Sequence, residues 1–108
     1  MDILEAKSIL DDCLEELPEV DSRPAFGFPC LFVRGKVFGL YDGDFIVLRF
    51  EETVVSQLVA IGEGYPFTAR ANIASSRSWV KIAHDQMDSS ERLRDLIILS
   101  YRTRVGLA

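Results

Sequence analysis

The N-terminal part of the chain carries hydrophobic side chains at helical spacing. They fall on one stripe and are Ile3, Ala6, Leu10, Cys13, Leu14 and Leu17. Asp2, with Glu5 three residues later, resembles a capping box, and Pro18 cannot continue a helix. The pattern therefore predicts a helix that begins after Asp2 and ends before Pro18. Its other face is acidic, and we interpret it as either a solvated face or a docking surface. The acidic residues there are Asp11, Asp12, Glu15 and Glu16.

From Cys30 the pattern changes to short runs of Val, Ile, Leu and Phe, which are typical of β-strands. Two pairs of turn residues, Arg34-Gly35 and Asp42-Gly43, interrupt these runs. The second pair is the stronger signal, because Asp-Gly supplies the two positive-φ positions of a type I′ hairpin turn. We therefore predict a hairpin whose turn is Asp42-Gly43.

This turn fixes a register in which Tyr41 lies opposite Asp44 and Lys36 lies opposite Arg49. Both faces of the hairpin are then apolar. One face carries Val37, Gly39, Ile46 and Leu48, and the other carries Phe38, Leu40, Phe45 and Val47. An antiparallel sheet with one wet face alternates cleanly, so we expect the second face to be covered by helices, by another sheet or by a second subunit. Gly39, in mid-strand, predicts a bulge or a close approach by a helix.

The second half of the chain predicts two helices and two strands. Residues 51–61 suit a helix that ends at Gly62, and residues 64–66 form a loop. Residues 67–73 and 78–82 read as strands. Residues 89–104 form a last helix, apolar around more than one side and therefore contacted on two sides. The fold class is α+β: a single domain over residues 1–108, with an antiparallel sheet, helices and the order α-β-β-β-α-β-β-α.

Composition narrows the class of protein. At 108 residues and 48% hydrophobic, the chain is long enough for one core. It contains neither a membrane-spanning run nor a signal peptide, so we expect a soluble, cytoplasmic protein without membrane contact. Cys13 and Cys30 lie seventeen residues apart, with no C-x-x-C motif and no histidine cluster. We predict reduced, buried thiols, with no metal site and no cofactor.

Charge is unevenly distributed along the chain. The net charge is −5, and residues 1–22 hold eight acidic residues against Lys7 alone. Two stretches, 23–41 and 64–84, contain no acidic residue, and residues 89–104 contain four arginines. A molecule with an acidic side and a mildly basic side follows from this distribution.

Six cations are the candidate binding residues: Arg34, Lys36, Arg49, Arg70, Arg77 and Lys81. Two like charges opposite each other, as predicted for Lys36 and Arg49, repel unless an anion relieves them or both side chains extend into solvent at the end of the sheet. The cations after residue 64 alternate with aromatic residues, as in proteins that stack single-stranded nucleic acid. Trp79 is equally consistent with a core position.

Catalytic signals are weak. His84 is the only histidine, and it neighbours Asp85, but adjacent residues rarely face one substrate atom. Neither cysteine has the basic surroundings that activate a thiol, and the glycines form no phosphate-binding loop. We predict that the chain is not an enzyme. A cavity bounded by Trp79, His84 and Arg49 would favour the contrary.

Specific segments resemble a known family. "AFGFPCLFVRGKVFGL", "GDFIVLRF", "GYPFTA" and "SWVKI", in this order, resemble the N-terminal domain of the TfoX competence regulators. The matching positions are Phe26-Gly27, Gly35-Lys36, Phe38, Arg49, Pro66-Phe67 and Trp79-Val80. "RPAF" and "LRDLIILSYR" are similar to the related YjbR group. The resemblance implies a small α+β domain with an antiparallel sheet and no established enzymatic activity.

Three hypotheses for function follow. The first is a non-catalytic interaction or regulatory domain with a protein partner or a second copy of the chain, because the sheet and the last helix carry excess apolar surface. The second is nucleic-acid binding through the six cations. YjbR-type proteins have often been labelled DNA-binding on the basis of their fold. The third is a small-molecule binder or an enzyme.

Overall fold

The computed structural model describes residues 1–25, 27–67 and 76–106. Three helices cover a six-stranded antiparallel sheet with strand order β1-β2-β3-β4-β6-β5. The helices are α1 (Ile3–Glu16), α2 (Glu52–Ala60) and α3 (Ser90–Val105), and the strands are β1 (Val20–Ala25), β2 (Phe28–Val33), β3 (Lys36–Asp42), β4 (Phe45–Arg49), β5 (Gly64–Pro66) and β6 (Trp79–Ile82). The predicted α+β class with an antiparallel sheet is confirmed.

The helix ends follow from local chemistry. The Asp2 carboxylate accepts a hydrogen bond from the Glu5 N–H at 2.8 Å and caps α1. At the start of α3 the capping group is the Ser89 hydroxyl, which accepts from the Arg92 N–H at 3.2 Å. Gly106, with φ near 80°, ends α3 in the left-handed conformation. Within the described ranges, no helix combines the length and the apolar character needed to cross a membrane.

Two strands lie where the sequence predicts none. β1 is polar, with four of its six residues exposed, and is held as an edge strand by pairing with β2 along its whole length. β5 occupies residues 64–66, where a loop was predicted, and forms the opposite edge. Edge strands need no hydrophobic alternation, which explains why neither was visible in the pattern. The strand predicted at 67–73 falls almost entirely outside the described residues.

The predicted turn at Asp42-Gly43 is wrong. Asp42 pairs with Phe45, so the turn residues are Gly43 and Asp44, and neither has a positive φ. The Asp42 carboxylate accepts from the Asp44 N–H at 3.3 Å and closes the turn with its side chain. Tyr41 therefore lies opposite Ile46, two residues beyond the predicted partner. A shift of two residues keeps every side chain of β4 on its predicted face.

The two consecutive residues with positive φ lie instead at the other break in the hydrophobic pattern, Arg34-Gly35. Arg34, at φ 51°, and Gly35, at φ 78°, connect β2 to β3 with Val33 paired to Lys36. A non-glycine residue with positive φ is uncommon, so Arg34-Gly35 is the weaker turn signal of the two. Here the tight ladder between the two strands imposes the left-handed conformation on an arginine.

The predicted irregularity at Gly39 is confirmed as a β-bulge. Leu31 pairs with Gly39 while Phe32 pairs with Val37, so Phe38 is the extra residue. The bulge turns Phe38 away from the face of Leu40 and towards the helices, contrary to the predicted alternation. Gly39 is required in turn, because a Cβ atom there would lie 3.1 Å from side-chain carbons of Leu31 and Leu48.

Both faces of the sheet are buried within a single chain. The helix-covered face forms the larger core, which includes Leu10, Leu31, Phe38, Ile46, Leu48, Val80, Leu93 and Ile97. The second face holds a smaller core of Cys30, Leu40, Val47 and Trp79, each at most 1% exposed and flanked by half-buried phenylalanines. The centre of each face is therefore buried, but in the described residues the helices contribute only to the larger core, and no second sheet covers the other face. Large exposed hydrophobic side chains among the described residues are Leu4, Ile61, Tyr65 and Leu99.

The Ser-Tyr pair of the closing helix anchors α3 to the rest of the chain. The Ser100 hydroxyl is fully buried and lies 3.1 Å from the Phe38 carbonyl and 2.7 Å from the Arg49 carbonyl. Phe38 is the extra residue of the bulge, and its carbonyl accepts from the serine hydroxyl. The Tyr101 hydroxyl donates to the Pro18 carbonyl at 2.8 Å. These contacts hold the last turns of α3 over one end of the sheet.

Ser100→Ala is expected to lower the free energy of unfolding by about 1–3 kcal/mol, because the buried hydroxyl, whose one hydrogen is shared between the two carbonyls, is lost. Urea unfolding monitored by circular dichroism measures the change. Ser8→Ala, at an exposed position of α1, is the matched control and is expected to leave stability within about 0.5 kcal/mol. Equal stabilities of the two variants would contradict this anchoring role.

A bidentate ion pair ties α3 to the segment before β5. The Arg92 guanidinium donates to both carboxylate oxygens of Glu63, at 2.6–3.0 Å. These bonds hold the pKa of Glu63 below its ordinary value. A carboxyl whose pKa is lowered on folding stabilises the protein above its unfolded pKa, and this contribution is lost as the pH falls through the folded pKa.

Glu63→Gln is therefore expected to destabilise the protein at pH 7 by about 1 kcal/mol or less, since the pair is partly exposed. The difference from the unchanged chain should shrink as the pH falls below 4.5, the ordinary value for this carboxyl. Thermal unfolding between pH 7 and pH 3 measures it, with Glu15→Gln at an exposed position of α1 as the control. A pH-independent difference between Glu63→Gln and the unchanged chain would contradict the linkage.

Candidate functional site

The structure brings four of the six predicted cations to one end of the sheet. This sheet end is formed by the Arg34–Gly35 turn, by the last residue of β4, Arg49, and by the first residue of β6, Trp79. Lys36 begins β3 at this end, and Arg77 lies in the short 3₁₀ turn just before β6. Lys81 lies further along β6, and Arg70 lies outside the described residues.

The predicted pairing of Lys36 with Arg49 is wrong. Gly39 pairs with Leu48, and the same register carried to the end of the sheet places Phe38 opposite Arg49. On its other side Arg49 pairs with Trp79 of β6. The reason is the two-residue shift of the pairing register described above, which follows from a turn displaced by one residue. Arg34 is occupied as well, because its Nε donates to the Glu19 carboxylate at 2.7 Å.

Three buried hydrogen-bond donors without acceptors mark the sheet end. Among the described residues, the buried side-chain nitrogens with no partner are Arg49 Nε, Trp79 Nε1 and Arg104 Nε. Buried polar groups in folded proteins are nearly always paired, and an unpaired donor therefore calls for an explanation. Arg49 and Trp79 are cross-strand partners, and Arg104, in the last turn of α3, lines the same cleft as Arg49.

The arginine cleft, as we call it, lies between the end of β4, the start of α2 and the end of α3. Its volume is about 390 Å³, and it is lined by Arg49, Phe50, Glu51, Glu52, Ser78, Thr103 and Arg104. The Thr103 hydroxyl is already used, because it donates to the Leu99 carbonyl at 2.8 Å. Both glutamates are exposed, and neither forms an ion pair with the two arginines.

A second cleft adjoins the first and is mainly apolar. This apolar cleft has a volume of about 570 Å³ and lies between α2 and the start of β6. It is lined by Glu52, Val55, Ser56, Val59, Ala60, Pro66, Arg77 and Trp79. Glu52 lines both clefts, and Trp79, at 1% exposure, forms a wall of the apolar cleft while its ladder partner Arg49 lines the arginine cleft.

The two arginines of the cleft can bind an anion but cannot take part in acid–base chemistry. An arginine guanidinium stays charged throughout the physiological range and cannot exchange a proton with a substrate. The structure brings Trp79 and Arg49 together, as the small-molecule hypothesis required, but it places His84 at the opposite end of β6. There the His84 Nδ1 lies 3.0 Å from the Met1 carbonyl oxygen.

The other candidate catalytic groups, the two cysteines and Asp85, also have surroundings that are typical of a structural role. Both cysteines are free and buried, as predicted, and burial raises the pKa of each thiol, which disfavours the reactive thiolate. Asp85 accepts from the Tyr65 hydroxyl at 3.1 Å, and this bond raises the pKa of the tyrosine. In the part of the chain that the structure describes, no cluster of three or more His, Cys, Asp or Glu side chains could hold a metal ion.

Lys81 lies over aromatic rings on the second face of the sheet. Its Nζ lies 5.4 Å from the centre of the Phe45 ring and 5.8 Å from that of Tyr65, and the Arg23 guanidinium lies 4.2 Å from the centre of Phe32. These are cation–π contacts, each strongest where water is excluded. Lys81 therefore belongs to an aromatic surface separate from the sheet end.

The family model for the TfoX N-terminal domain matches residues 12–103. The chain belongs to the TfoX N-terminal domain family. The family's range includes β4, β6 and most of α3, and thus Arg49, Arg77 and Trp79, while Arg104 lies one residue beyond it. The resemblance inferred from the sequence motifs is confirmed.

This TfoX N-terminal domain is similar in structure to the Deinococcus radiodurans protein DR2400, whose crystal structure contains a DUF419 domain. The TM-score is 0.67 at 18% sequence identity, over 92% of this chain and 86% of that chain. DUF419 is the YjbR-like family, so the second resemblance is confirmed at the level of the fold. No curated protein sequence matches this chain significantly.

Arg104 was not among the predicted site residues. It belongs to the basic end of the last helix, and nothing local in the sequence distinguishes it from Arg102 two residues earlier or from other surface arginines. Only the packing of α3 against the end of β4, fixed by Ser100, brings its guanidinium into the cleft.

Proposed function

We propose that this TfoX N-terminal domain is a non-catalytic interaction domain of the regulatory kind, which binds a protein partner at the sheet end. The observation that supports the proposal is the group of three unpaired buried donors, Arg49 Nε, Trp79 Nε1 and Arg104 Nε, beside two open clefts. Donors that cannot titrate serve recognition, because they hold acceptors in place without transferring protons.

The proposal places partner contact on a polar end of the molecule. The central apolar side chains of the hairpin, which suggested a second subunit, are buried inside the chain, while Val37, Tyr41 and Phe45 are half-buried. Arginine and tryptophan are also the residues that contribute most to protein–protein binding when they lie in a desolvated pocket. A homodimer built through the sheet end remains one form of the proposal. The two free, buried thiols support a cytoplasmic setting.

A photoreactive side chain tests the proposal. Glu52→p-benzoylphenylalanine places the label at the position that lines both clefts, and Leu4→p-benzoylphenylalanine places it at an exposed position of α1. Irradiation in an extract of the source cells is expected to give a discrete protein adduct from position 52 and none from position 4. The adduct should disappear when Arg49→Gln and Arg104→Gln are added.

Two outcomes would reject the proposal. One is the absence of any protein adduct from position 52, and the other is the same set of adducts from both positions. An adduct of twice the chain mass would instead identify the homodimeric form, and sedimentation at several concentrations would then give its stability.

Nucleic-acid binding is a second candidate, and the aromatic surface favours it. Arg23 with Phe32, and Lys81 with Phe45 and Tyr65, place cations beside rings on which bases can stack. Fluorescence anisotropy with a labelled single-stranded oligonucleotide tests it. If the candidate holds, affinity falls steeply with salt and is reduced by Lys81→Ala more than by Lys36→Ala. No binding at low salt rejects it.

A further inference from the structure

We propose that the arginine cleft and the apolar cleft form one composite site for a carboxylate that is joined to a small apolar group. The carboxylate binds Arg49 and Arg104, and the apolar group packs between Trp79 and α2. This inference goes beyond the proposed function, because it assigns the chemistry of the ligand whether a free acid or a partner protein supplies it.

The unpaired donors indicate which kind of ligand group can bind to them, namely a hydrogen-bond acceptor. All three unpaired buried nitrogens of the described residues carry N–H groups that can only donate, so a ligand group that pairs with any of them must offer lone pairs, as oxygen does. An arginine side chain presents its donors in a planar fork that matches the two oxygens of a carboxylate. Trp79 supplies an independent indication, since its side chain is 1% exposed and its indole N–H is unpaired beside the apolar cleft.

The charge of the lining favours a monoanion. Across both clefts the arginines are Arg49, Arg77 and Arg104, and the acids are Glu51 and Glu52. In the arginine cleft itself two arginines stand with two glutamates, so the lining has no excess of positive charge to balance a second negative charge on the ligand. A phosphate monoester carries nearly two negative charges at neutral pH, and one of them would face Glu51 and Glu52 unbalanced.

The volume and lining of the apolar cleft indicate the second part of the ligand, its apolar group. The cleft volume of about 570 Å³ lies within the range of small-molecule sites, about 300–1,000 Å³. Val55, Val59 and the Trp79 ring offer an apolar surface, and Glu52 at the junction is exposed to solvent. Because paired residues on neighbouring strands lie about 5 Å apart, a few carbon atoms are enough to connect a group near Arg49 with one near Trp79.

A titration with defined probes tests the composite site. 4-Phenylbutyrate carries a carboxylate and an apolar ring, and 4-phenylbutanamide is its neutral counterpart. Calorimetry is expected to show saturable binding of the acid and at least about tenfold weaker binding of the amide, which loses the charge-assisted bonds. Inorganic phosphate is expected to bind at least about tenfold more weakly than the acid, because it lacks the apolar group and carries the additional charge.

Variants assign the two parts of the site. Arg49→Gln and Arg104→Gln are each expected to weaken the acid about tenfold or more, and Val59→Asp is expected to weaken it by blocking the apolar cleft. Arg23→Gln, on the second face of the sheet, is the matched control and should bind normally. Arg49→Lys keeps the charge without the fork, so it should fall between Arg49→Gln and the unchanged chain. Circular dichroism confirms that each variant is folded before it is titrated.

A pair of peptides identifies the source of the carboxylate. A hexapeptide ending in phenylalanine with a free carboxylate is compared with the same peptide amidated at its C-terminus. Tighter binding of the free peptide than of 4-phenylbutyrate indicates the C-terminal residue of a partner, and the reverse indicates a small organic acid. Either result supports the composite site.

Three results would overturn the inference: equal binding of acid and amide, phosphate binding as tightly as the acid, or full affinity in both Arg49→Gln and Arg104→Gln. These results leave the photo-crosslinking test untouched. If acids fail to bind while position 52 still yields a protein adduct, only the carboxylate chemistry is rejected and the interaction domain stands.

Discussion

Phe38→Ala is expected to lower the free energy of unfolding by about 3–5 kcal/mol. Phe38 is the extra residue of the bulge, is fully buried, and packs edge-on against the Tyr101 ring with the centroids 6.0 Å apart. Its loss leaves a cavity between β3 and α3 at the place where the Ser100 hydroxyl meets the sheet. The bulge places this ring on the helix-covered face of the sheet. No neighbouring side chain of the strand can therefore replace it.

Denaturant unfolding of Phe38→Ala against Phe28→Ala measures the effect. Phe28 is half-buried on the second face, where its ring lies 6.3 Å from that of Phe45, and its truncation should cost clearly less. A loss below about 1 kcal/mol for Phe38→Ala would mean that the ring does not occupy the core between β3 and α3.

Gly64→Ala is expected to destabilise the protein by about 1–3 kcal/mol, although it adds only a methyl group. A Cβ atom on Gly64 would lie 2.4 Å from Cγ2 of Val80, which is fully buried, and 3.5 Å from Cβ of Leu58. Valine has little rotamer freedom with which to withdraw. Either β5 must move away from β6, or the core beneath the pair must be repacked.

A second substitution separates this contact from a general effect of losing glycine. Gly64→Ala combined with Val80→Ala should recover a large part of the loss that the two single changes predict together, because the smaller side chain makes room. Gly43→Ala is the control, since nothing lies within 4 Å of its added Cβ atom and its φ is not positive. Additive effects of the two changes would contradict the steric account.

Helices in this chain are predictable because their signals are local. The apolar stripe of α1 and its Asp2 cap lie within a few turns of each other, and the observed bounds differ little from the predicted ones. The strands are harder. β1 has no hydrophobic alternation, and its position is determined by β2, with which it pairs from Val20 to Ala25. Such pairing is a tertiary property that the segment itself does not encode.

In the hairpin, the surrounding structure overrides the local turn preference of the sequence. Asp-Gly is the better type I′ sequence, yet the chain places its positive-φ pair at Arg34-Gly35 and closes the other turn with the Asp42 side chain. The bulge at Phe38 occurs together with this arrangement of the two turns. The extra residue lets Gly39 and Leu40 keep the faces of the sheet on which they fit.

The candidate site could be predicted only in part. Arg49, Arg77 and Lys36 were identified by type and by their position near strand ends, and the structure does place them at one end of the sheet. Arg104 and the unpaired state of the Trp79 N–H depend on how α3 and α2 close over that end. Unsatisfied donors are a feature of packing, and no spacing rule in the sequence reveals them.

The most direct test of the central claim, that the unpaired donors of the sheet end are a binding site, uses the single tryptophan. One indole N–H signal is therefore expected in a ¹⁵N–¹H correlation spectrum. Titration with 4-phenylbutyrate should shift this signal in a saturable way, and Arg49→Gln should weaken the response while Arg23→Gln leaves it intact. An indole signal that stays in place while calorimetry records binding would contradict the account, because the ligand would then occupy another part of the molecule.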